Sequence, residues 1–184
     1  MAKVTERKIF MGANTADGFV GFFDQIVDNY ELKKIYIIKG GSGVGKSTFI
    51  KKFAQTMTQM FGKTKQLTID YLMCSADPGS YDGAIIHEMG VALIDGTKPH
   101  ITDPKYPGMV EEILDFAQFI DFAKIKATQA ELKEMMARRA ECFERAKIEL
   151  EKARQLHRKV ESYITPAVDF SKVDELFKQL VNRQ

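Results

Sequence analysis

The sequence predicts an α/β fold, a mostly parallel sheet flanked by helices, continued by a C-terminal long-helix hairpin or bundle. Three observations predict it. Short β-branched runs alternate with segments of helical period through the first two thirds of the chain. A glycine-rich run at residues 40–48 separates one strand pattern from one helix pattern. Residues 128–163 then contain neither Gly nor Pro and carry apolar residues at regular helical steps.

The elements follow in order. Lys8, Ile9, Phe10 and Met11 read as a short strand, and Gly12, Ala13, Asn14 and Thr15 with Asp17-Gly18 as a polar turn. Phe19, Val20, Phe22, Phe23, Ile26 and Val27 recur at roughly helical spacing and predict an amphipathic helix. Ile35, Tyr36, Ile37 and Ile38 suit a buried strand. Behind the glycine-rich run, Phe49, Ile50, Phe53, Ala54 and Met57 predict a helix that Gly62 stops. Residues 66–74 read as a second strand and 75–83 as a polar loop, while 84–89 suits either a short strand or a helical turn. Val91, Ala92, Leu93 and Ile94 form a third strand that ends in Asp95-Gly96-Thr97. Pro99, Pro104 and Pro107 make 98–108 a loop, and 109 to about 119 reads as helix.

Along residues 128–163, Leu132, Met136, Arg139, Phe143, Ala146, Leu150, Ala153, His157 and Val160 step by four and three. That is a heptad seam on one helix about 50 Å long, with Arg139 and His157 as polar interruptions. Thr165-Pro166 ends it, and 170–181 predicts a final short amphipathic helix. The seam closes either within the chain or across subunits.

Composition excludes several classes. The chain has 184 residues, 45% of them hydrophobic, enough for one domain or a domain with an appendage. Its 27 basic and 25 acidic side chains give a net charge of +2, with no global pull toward nucleic acid or an anionic membrane. Cys74 and Cys142 lie far apart without metal-ligand spacing, which suits incidental reduced thiols. The polar N-terminus is unlike a signal peptide, and no apolar run approaches the ~20 residues of a membrane span. A soluble protein of the cytoplasm is expected.

Residues Gly40, Gly41, Ser42, Gly43, Val44, Gly45, Lys46, Ser47 and Thr48 complete the phosphate-binding motif G-x-x-x-x-G-K-[ST], the P-loop. Its glycines let successive backbone N–H groups curl around a β-phosphate. Lys46 reaches the β/γ oxygens, and the Ser47 hydroxyl ligates Mg²⁺. The flanking strand and helix are the context this motif requires, because the helix aims its positive N-terminal end at the phosphates. A P-loop NTPase core is therefore expected, binding ATP with Mg²⁺. It occupies residues 1–120 as a nucleotide-binding core, with 121–184 as a helical arm.

A triphosphate site also calls for a carboxylate at the end of a neighbouring buried strand. Asp95 suits this Walker B role toward the metal, although Asp-Gly is also a common turn pair. No acidic residue follows Asp95 directly. Asp77 and Asp82, in the polar loop, could position a nucleophile or take its proton; Asp77-Pro78 with Ser80 would equally make an Asx-turn. His100 could contact phosphate or act in acid–base chemistry, or be a hydrogen-bonded loop histidine. Asp103 is a weaker candidate of the same kind. Lys51 and Lys52 read as helix surface. Apart from Arg7 and Arg183, the arginines all lie on the long helix: Arg138, Arg139, Arg145, Arg154 and Arg158. Most read as solvated charges, but Arg139 falls on the apolar seam. Either the arm folds over the site as a lid, or another subunit supplies an arginine. Thr97-Lys98-Pro99-His100 lacks the terminal Asp of the guanine-reading [NT]-K-x-D motif, which favours ATP.

These residues resemble a poorly characterised group of bacterial P-loop ATPases, sometimes labelled nucleotide-kinase-like. The resemblance rests on Gly12-Ala13-Asn14-Thr15 with Gly18-Phe19, on residues 39–48, and on Cys74-Ser75-Ala76-Asp77-Pro78 with Ser80 and Asp82-Gly83. Leu93-Ile94-Asp95-Gly96-Thr97 with Pro99-His100 and Asp103-Pro104 with Tyr106-Pro107-Gly108 extend it, so that it spans about residues 9–120. Members of that group look like two tandem P-loop halves, each opened by a GANT-like element, and this chain is similar to one half. The resemblance implies ATP binding and hydrolysis. The expected partners are a nucleoside triphosphate and either a second P-loop half or another copy through the helical arm. Transfer to a small-molecule or nucleotide acceptor, and a non-enzymatic nucleotide-gated interaction module, are the alternative readings.

Overall fold

The computed structural model of the chain describes residues 3–25 and 31–183. In chain order, β1 (Val4–Phe10) leads into β2 (Gly12–Thr15) and β3 (Gly18–Gly21). β4 (Lys34–Lys39), helix α1 (Lys46–Phe61), β5 (Leu67–Met73), β6 (Tyr81–Ile86), β7 (Val91–Asp95) and β8 (Glu111–Asp115) follow. Six strands form one sheet in the order β1-β5-β6-β7-β4-β8, and β2 and β3 form a separate hairpin. β1 runs parallel to β5, and β4 runs parallel to β7 and β8, whereas β6 is antiparallel to both its neighbours. Five strands therefore share one direction and β6 alone opposes them, giving an α/β fold with a mostly parallel, mixed sheet.

Alternation along the strands builds two apolar faces. Ile38, Leu67, Ile69, Ala84, Ile86 and Leu93 turn toward α1, whose Ile50 and Ala54 are fully buried against them. Ile35, Ile37, Leu72, Ile85 and Ile94 turn the other way, onto Met11 and Phe23. Full burial of an isoleucine stabilises by roughly 1.5–3 kcal/mol. Ile38 at the end of β4 and Ile50 at the start of α1 are both 0% exposed, so the loop between them is pinned on either side.

Several expectations are corrected. The turn and helix read over residues 12–27 form instead the β2–β3 hairpin, paired from Gly12–Gly21 to Thr15–Gly18. Thr15 Oγ1 donates to Gly18 O (2.7 Å) and accepts from Asp17 N–H (3.1 Å), so the Asp17-Gly18 turn is closed by local side-chain bonds that apolar periodicity does not register. Helix starts only at Phe23, and Ile26 and Val27 lie outside the described residues. The helix read over 109–119 is the edge strand β8, in register Ile35–Glu111 to Lys39–Asp115. Pairing satisfies backbone groups that β4 would otherwise present at a bare edge, and this outweighs the helix preference of Glu and Leu. A Lys34–Glu112 ion pair (2.7 Å) and a Tyr106 N–H bond to the buried Glu111 carboxylate (3.0 Å) support it. Residues 81–83, read as loop, begin β6. The ambiguous segment after them is both things: strand to Ile86, then a 3₁₀ turn at His87–Met89.

Beyond α2 (Phe122–Ile125), the long helix α3 spans Gln129–Ile164 and is followed by α4 (Phe170–Val181). The hairpin or bundle expected here has no buried core: neither α3 nor α4 contains a buried residue. The first half of the seam faces the β2–β3 hairpin, where Met136, Phe143 and Leu150 line a groove of about 550 Å³ opposite Asn14 and Phe19. A bidentate pair from Arg154 to Asp17 (2.7 and 3.3 Å) holds the helix there. Val160 beyond it, and Phe170, Leu176 and Phe177 on α4, are more than half exposed. No helix among the described residues is long and apolar enough to cross a membrane.

A buried ion cluster ties β1 to β5. Asp70 is 0% exposed and accepts from Arg7 Nε (2.5 Å) and Arg7 Nη2 (2.7 Å), with His87 Nε2 2.7 Å from Oδ2. Burial alone would raise its pKa, but the Arg7 and His87 hydrogen bonds and charges outweigh that and hold it below the ordinary carboxylate value. A depressed folded pKa stabilises above the unfolded value of about 3.9, and that stabilisation disappears as pH falls through the folded value. Asp70→Ala is expected to cost about 2–3 kcal/mol in urea unfolding at pH 7, with the gap to the unsubstituted chain narrowing below about pH 4. An unchanged midpoint at pH 7 would contradict this assignment.

Candidate functional site

The site lies where β4 ends. Gly43 (φ 86°) and Gly45 (φ 89°) take left-handed backbone conformations, which cost an L side chain roughly 1–2 kcal/mol, and curl residues 40–45 back on themselves. Phe49 N–H donates to Gly45 O (2.9 Å) as α1 begins. The sixteen-residue helix thus directs its positive end and its unpaired N–H groups at the loop. Lys46 Nζ donates to Gly40 O (2.6 Å) and Gly41 O (2.8 Å) and lies 3.5 Å from Asp95 Oδ2.

Asp95 arrives from β7, whose parallel register sets it opposite Ile38. Its Oδ1 accepts Thr97 N–H (2.9 Å), while Thr97 Oγ1 donates to Gly40 O (3.0 Å). Lys39 fastens the same segment, with Nζ donating to Gly96 O (3.0 Å), Thr102 O (2.6 Å) and Asp103 Oδ1 (2.9 Å). Ser47 Oγ accepts Tyr81 N–H (2.9 Å), so the first turn of α1 is tied to the start of β6.

Because β6 runs against its neighbours, its first residues reach the edge where β4 and β7 finish. Asp82 stands one residue beyond the Gly83–Ile94 pair and so comes beside Asp95. It is 6% exposed, and its Oδ2 lies 3.3 Å from His100 Nε2. Burial raises the Asp82 pKa, and the Asp95 charge adds to the rise; His100, the Cys74 thiol and Lys46 oppose it without cancelling it. His100 packs on Phe19 (ring centroids 5.4 Å apart), and its Nδ1 is buried with no hydrogen-bond partner among the described residues. Beside it a cavity of about 360 Å³ is lined by Phe19, Phe23, Pro99, His100, Thr102 and Asp103.

Of the residues the sequence singles out, the loop, Lys46, Ser47, Asp95, Asp82 and His100 converge on this edge. Asp77 does not share their setting. It is exposed, its carboxylate accepts Gly79 N–H (3.1 Å), and its carbonyl accepts Ser80 N–H (2.8 Å), which is the Asx-turn arrangement. Asp103 is a partner of Lys39. Lys51 and Lys52 are exposed on α1. Arg139 reaches across from α3, with Nη1 donating to Ser42 Oγ (2.9 Å) and its guanidinium 5.6 Å from the Phe143 ring centre. Sequence reasoning missed Lys39, Thr97 and Tyr81. Lys39 had a signal, a cation directly after the apolar run Ile35-Tyr36-Ile37-Ile38, but Tyr81 contributes only a backbone N–H.

Chemically, the edge presents a positive helix end, the Lys46 ammonium, the Ser47 hydroxyl and the Asp82 and Asp95 carboxylates. Among the described residues no group of three or more His, Cys, Asp or Glu side chains is arranged to hold a metal ion. A divalent cation here would share hydroxyl and carboxylate oxygens with a ligand and water. Comparison with protein-family models, curated proteins and solved structures returned no match for this chain.

The Asp82 environment is testable through thiols. Burial raises the Cys74 pKa, and the nearby Asp82 charge adds to it, whereas Cys142 is exposed on α3. Titration with a chromogenic disulfide at pH 8 is expected to give one fast thiol and one slower by about tenfold or more, the slow phase quickening in Asp82→Asn. Two equally fast thiols would show that Cys74 is not enclosed as described.

Proposed function

We propose that this chain is a P-loop NTPase that binds Mg-ATP at residues 40–48 and hydrolyses it, with movement of the long-helix arm coupled to the reaction. The observation that carries this reading is the meeting of Lys46, at the start of α1, with Asp95, at the end of β7, 3.5 Å apart and with Ser47 next in sequence. Backbone N–H groups of the loop and the N-terminal end of α1 take the phosphates, and Lys46 exchanges the Gly40 and Gly41 carbonyls for β/γ oxygens. Ser47 Oγ and the Asp95 carboxylate are hard oxygen donors that suit Mg²⁺, an ion that shares its shell with phosphates and water. When bound, Mg²⁺ neutralises charge on the phosphate oxygens.

Asp82 is the proton acceptor. Its pKa, raised by burial, makes it a stronger base than a free carboxylate, and His100 orients it from 3.3 Å. The water oxygen forms a bond to Pγ as the bond from Pγ to the bridging oxygen breaks. ADP departs with that electron pair, the water proton passes to Asp82 and on to solvent, and inorganic phosphate is released. Asp77, occupied by its own turn, has no part in this step.

The cavity beside His100 favours one second reading, a small-molecule kinase in which an acceptor hydroxyl lodged there replaces water. Incubation with Mg²⁺ and γ-labelled ATP, with and without a metabolite extract, separates the two. Free labelled phosphate without extract is expected, falling about 10²-fold or more in Lys46→Ala and by a similar order in Asp82→Asn. Label appearing only on an extract component would move the assignment to phosphoryl transfer. Turnover equal in the Lys46→Ala chain would overturn both readings.

A further inference from the structure

Arg139 stands where a heptad seam calls for an apolar side chain. Its neighbours on the seam, Met136 and Phe143, line the groove against the hairpin, yet the Arg139 guanidinium passes over the Phe143 ring to the glycine-rich loop. There it meets Ser42, the residue directly after Gly41, whose carbonyl holds Lys46 Nζ. The two cations therefore meet one short stretch of the loop, Lys46 at the Gly40 and Gly41 carbonyls and Arg139 at the Ser42 hydroxyl. A serine hydroxyl is a weak match for a guanidinium, whose planar fork of donors binds oxyanions far better. Other arginines have different partners: Arg7 bonds Asp70, Arg145 the Cys142 sulfur, and Arg154 Asp17 and Glu151. The Arg154–Asp17 pair fastens α3 to the hairpin about 22 Å along the helix from Arg139. Arg139 can thus change partner, and the part of α3 that carries it can shift, while the helix stays held to the hairpin at Arg154.

We infer that Arg139 reads the terminal phosphate of the nucleotide, its guanidinium leaving Ser42 for the γ-phosphate oxygens, so that α3 is an intramolecular lid that tells a triphosphate from a diphosphate. The inference rests on the nucleotide-binding reading above and adds to it the residue that senses the γ-phosphate and the element that carries it. It also states what drives the arm. In the triphosphate state α3 gains a charged contact that the diphosphate state lacks, and only such a differential contact can shift its position.

Equilibrium binding tests this without any turnover. Dissociation constants for a fluorescent non-hydrolysable ATP analogue and for the matching ADP analogue are measured with Mg²⁺ on the unsubstituted chain, Arg139→Ala, Arg139→Lys and Lys46→Ala. Arg139→Ala is expected to weaken the triphosphate about tenfold or more while leaving the diphosphate within twofold, and Arg139→Lys to fall between. Equal losses for both ligands, or no loss for either, would overturn the inference while leaving the nucleotide site intact, provided Lys46→Ala still weakens both. An unsubstituted chain that binds neither analogue would overturn the site and the inference together. Far-UV circular dichroism confirms helix content in each variant, and Arg139→Lys carries the test should Arg139→Ala not fold.

Discussion

Parallel pairing of β4 with β7, in the register that sets Ile38 against Asp95, brings the glycine-rich loop and a carboxylate to one edge of the sheet. A slip of one residue would turn Asp95 toward the opposite face and expose Leu93 or Ile94, both buried now. Apolar burial at Ile38, Leu93 and Ile94 thus fixes a polar distance, the 3.5 Å between Lys46 and Asp95. The reversed direction of β6 completes the arrangement. In an all-parallel sheet the start of that strand would lie at the far edge, and Asp82 with it. Here Asp82 joins Asp95, and its raised pKa follows from being a second carboxylate in a buried place.

Polar side chains at this edge stand in pairs. Lys46 faces Asp95, His100 faces Asp82, and Lys39 holds Asp103 together with two carbonyls of the 96–103 segment. Lys46 and Asp95 are mostly buried, and a buried charge that loses its partner carries a large desolvation cost. Thr97 and Lys39 have no chemistry of their own in this scheme; they set where Asp95 and His100 stand. The same logic extends to the arm, where Arg154 on Asp17 fixes the helix along the hairpin and Arg139 on Ser42 brings it to the loop.

The local parts of this arrangement were legible in the sequence, and the pairings were not. Strands over 35–38, 66–74 and 91–94, the helix after the loop and the long helix up to Thr165 all follow from apolar periodicity and stop signals. Residues 109–119 were misread because Glu-Glu-Ile-Leu-Asp suits a helix by propensity, while the open edge of β4 makes it a strand. The hairpin at 12–21 was misread because Phe19, Val20, Phe22 and Phe23 fit a helical period by accident of spacing. Asp82 reads as loop beside Asp77 because 75–83 is polar and rich in Gly and Pro, whereas pairing with β5 and β7 extends the strand back to Tyr81. The long helix itself follows from the pattern, but periodicity does not specify what lies against the seam. Met136, Phe143 and Leu150 line the groove at the hairpin yet remain exposed, as does Val160 beyond them.

A nucleotide site around Lys46 has a direct consequence for thermal unfolding. A ligand that binds only the folded chain raises its melting temperature by mass action, at 100 times its dissociation constant by about 2.7 kcal/mol of stability. With saturating Mg-ATP the unsubstituted chain is expected to melt several degrees higher, with little or no rise with AMP and none with ATP for Lys46→Ala. Equal rises in both chains, or no rise in either, would contradict a nucleotide site there.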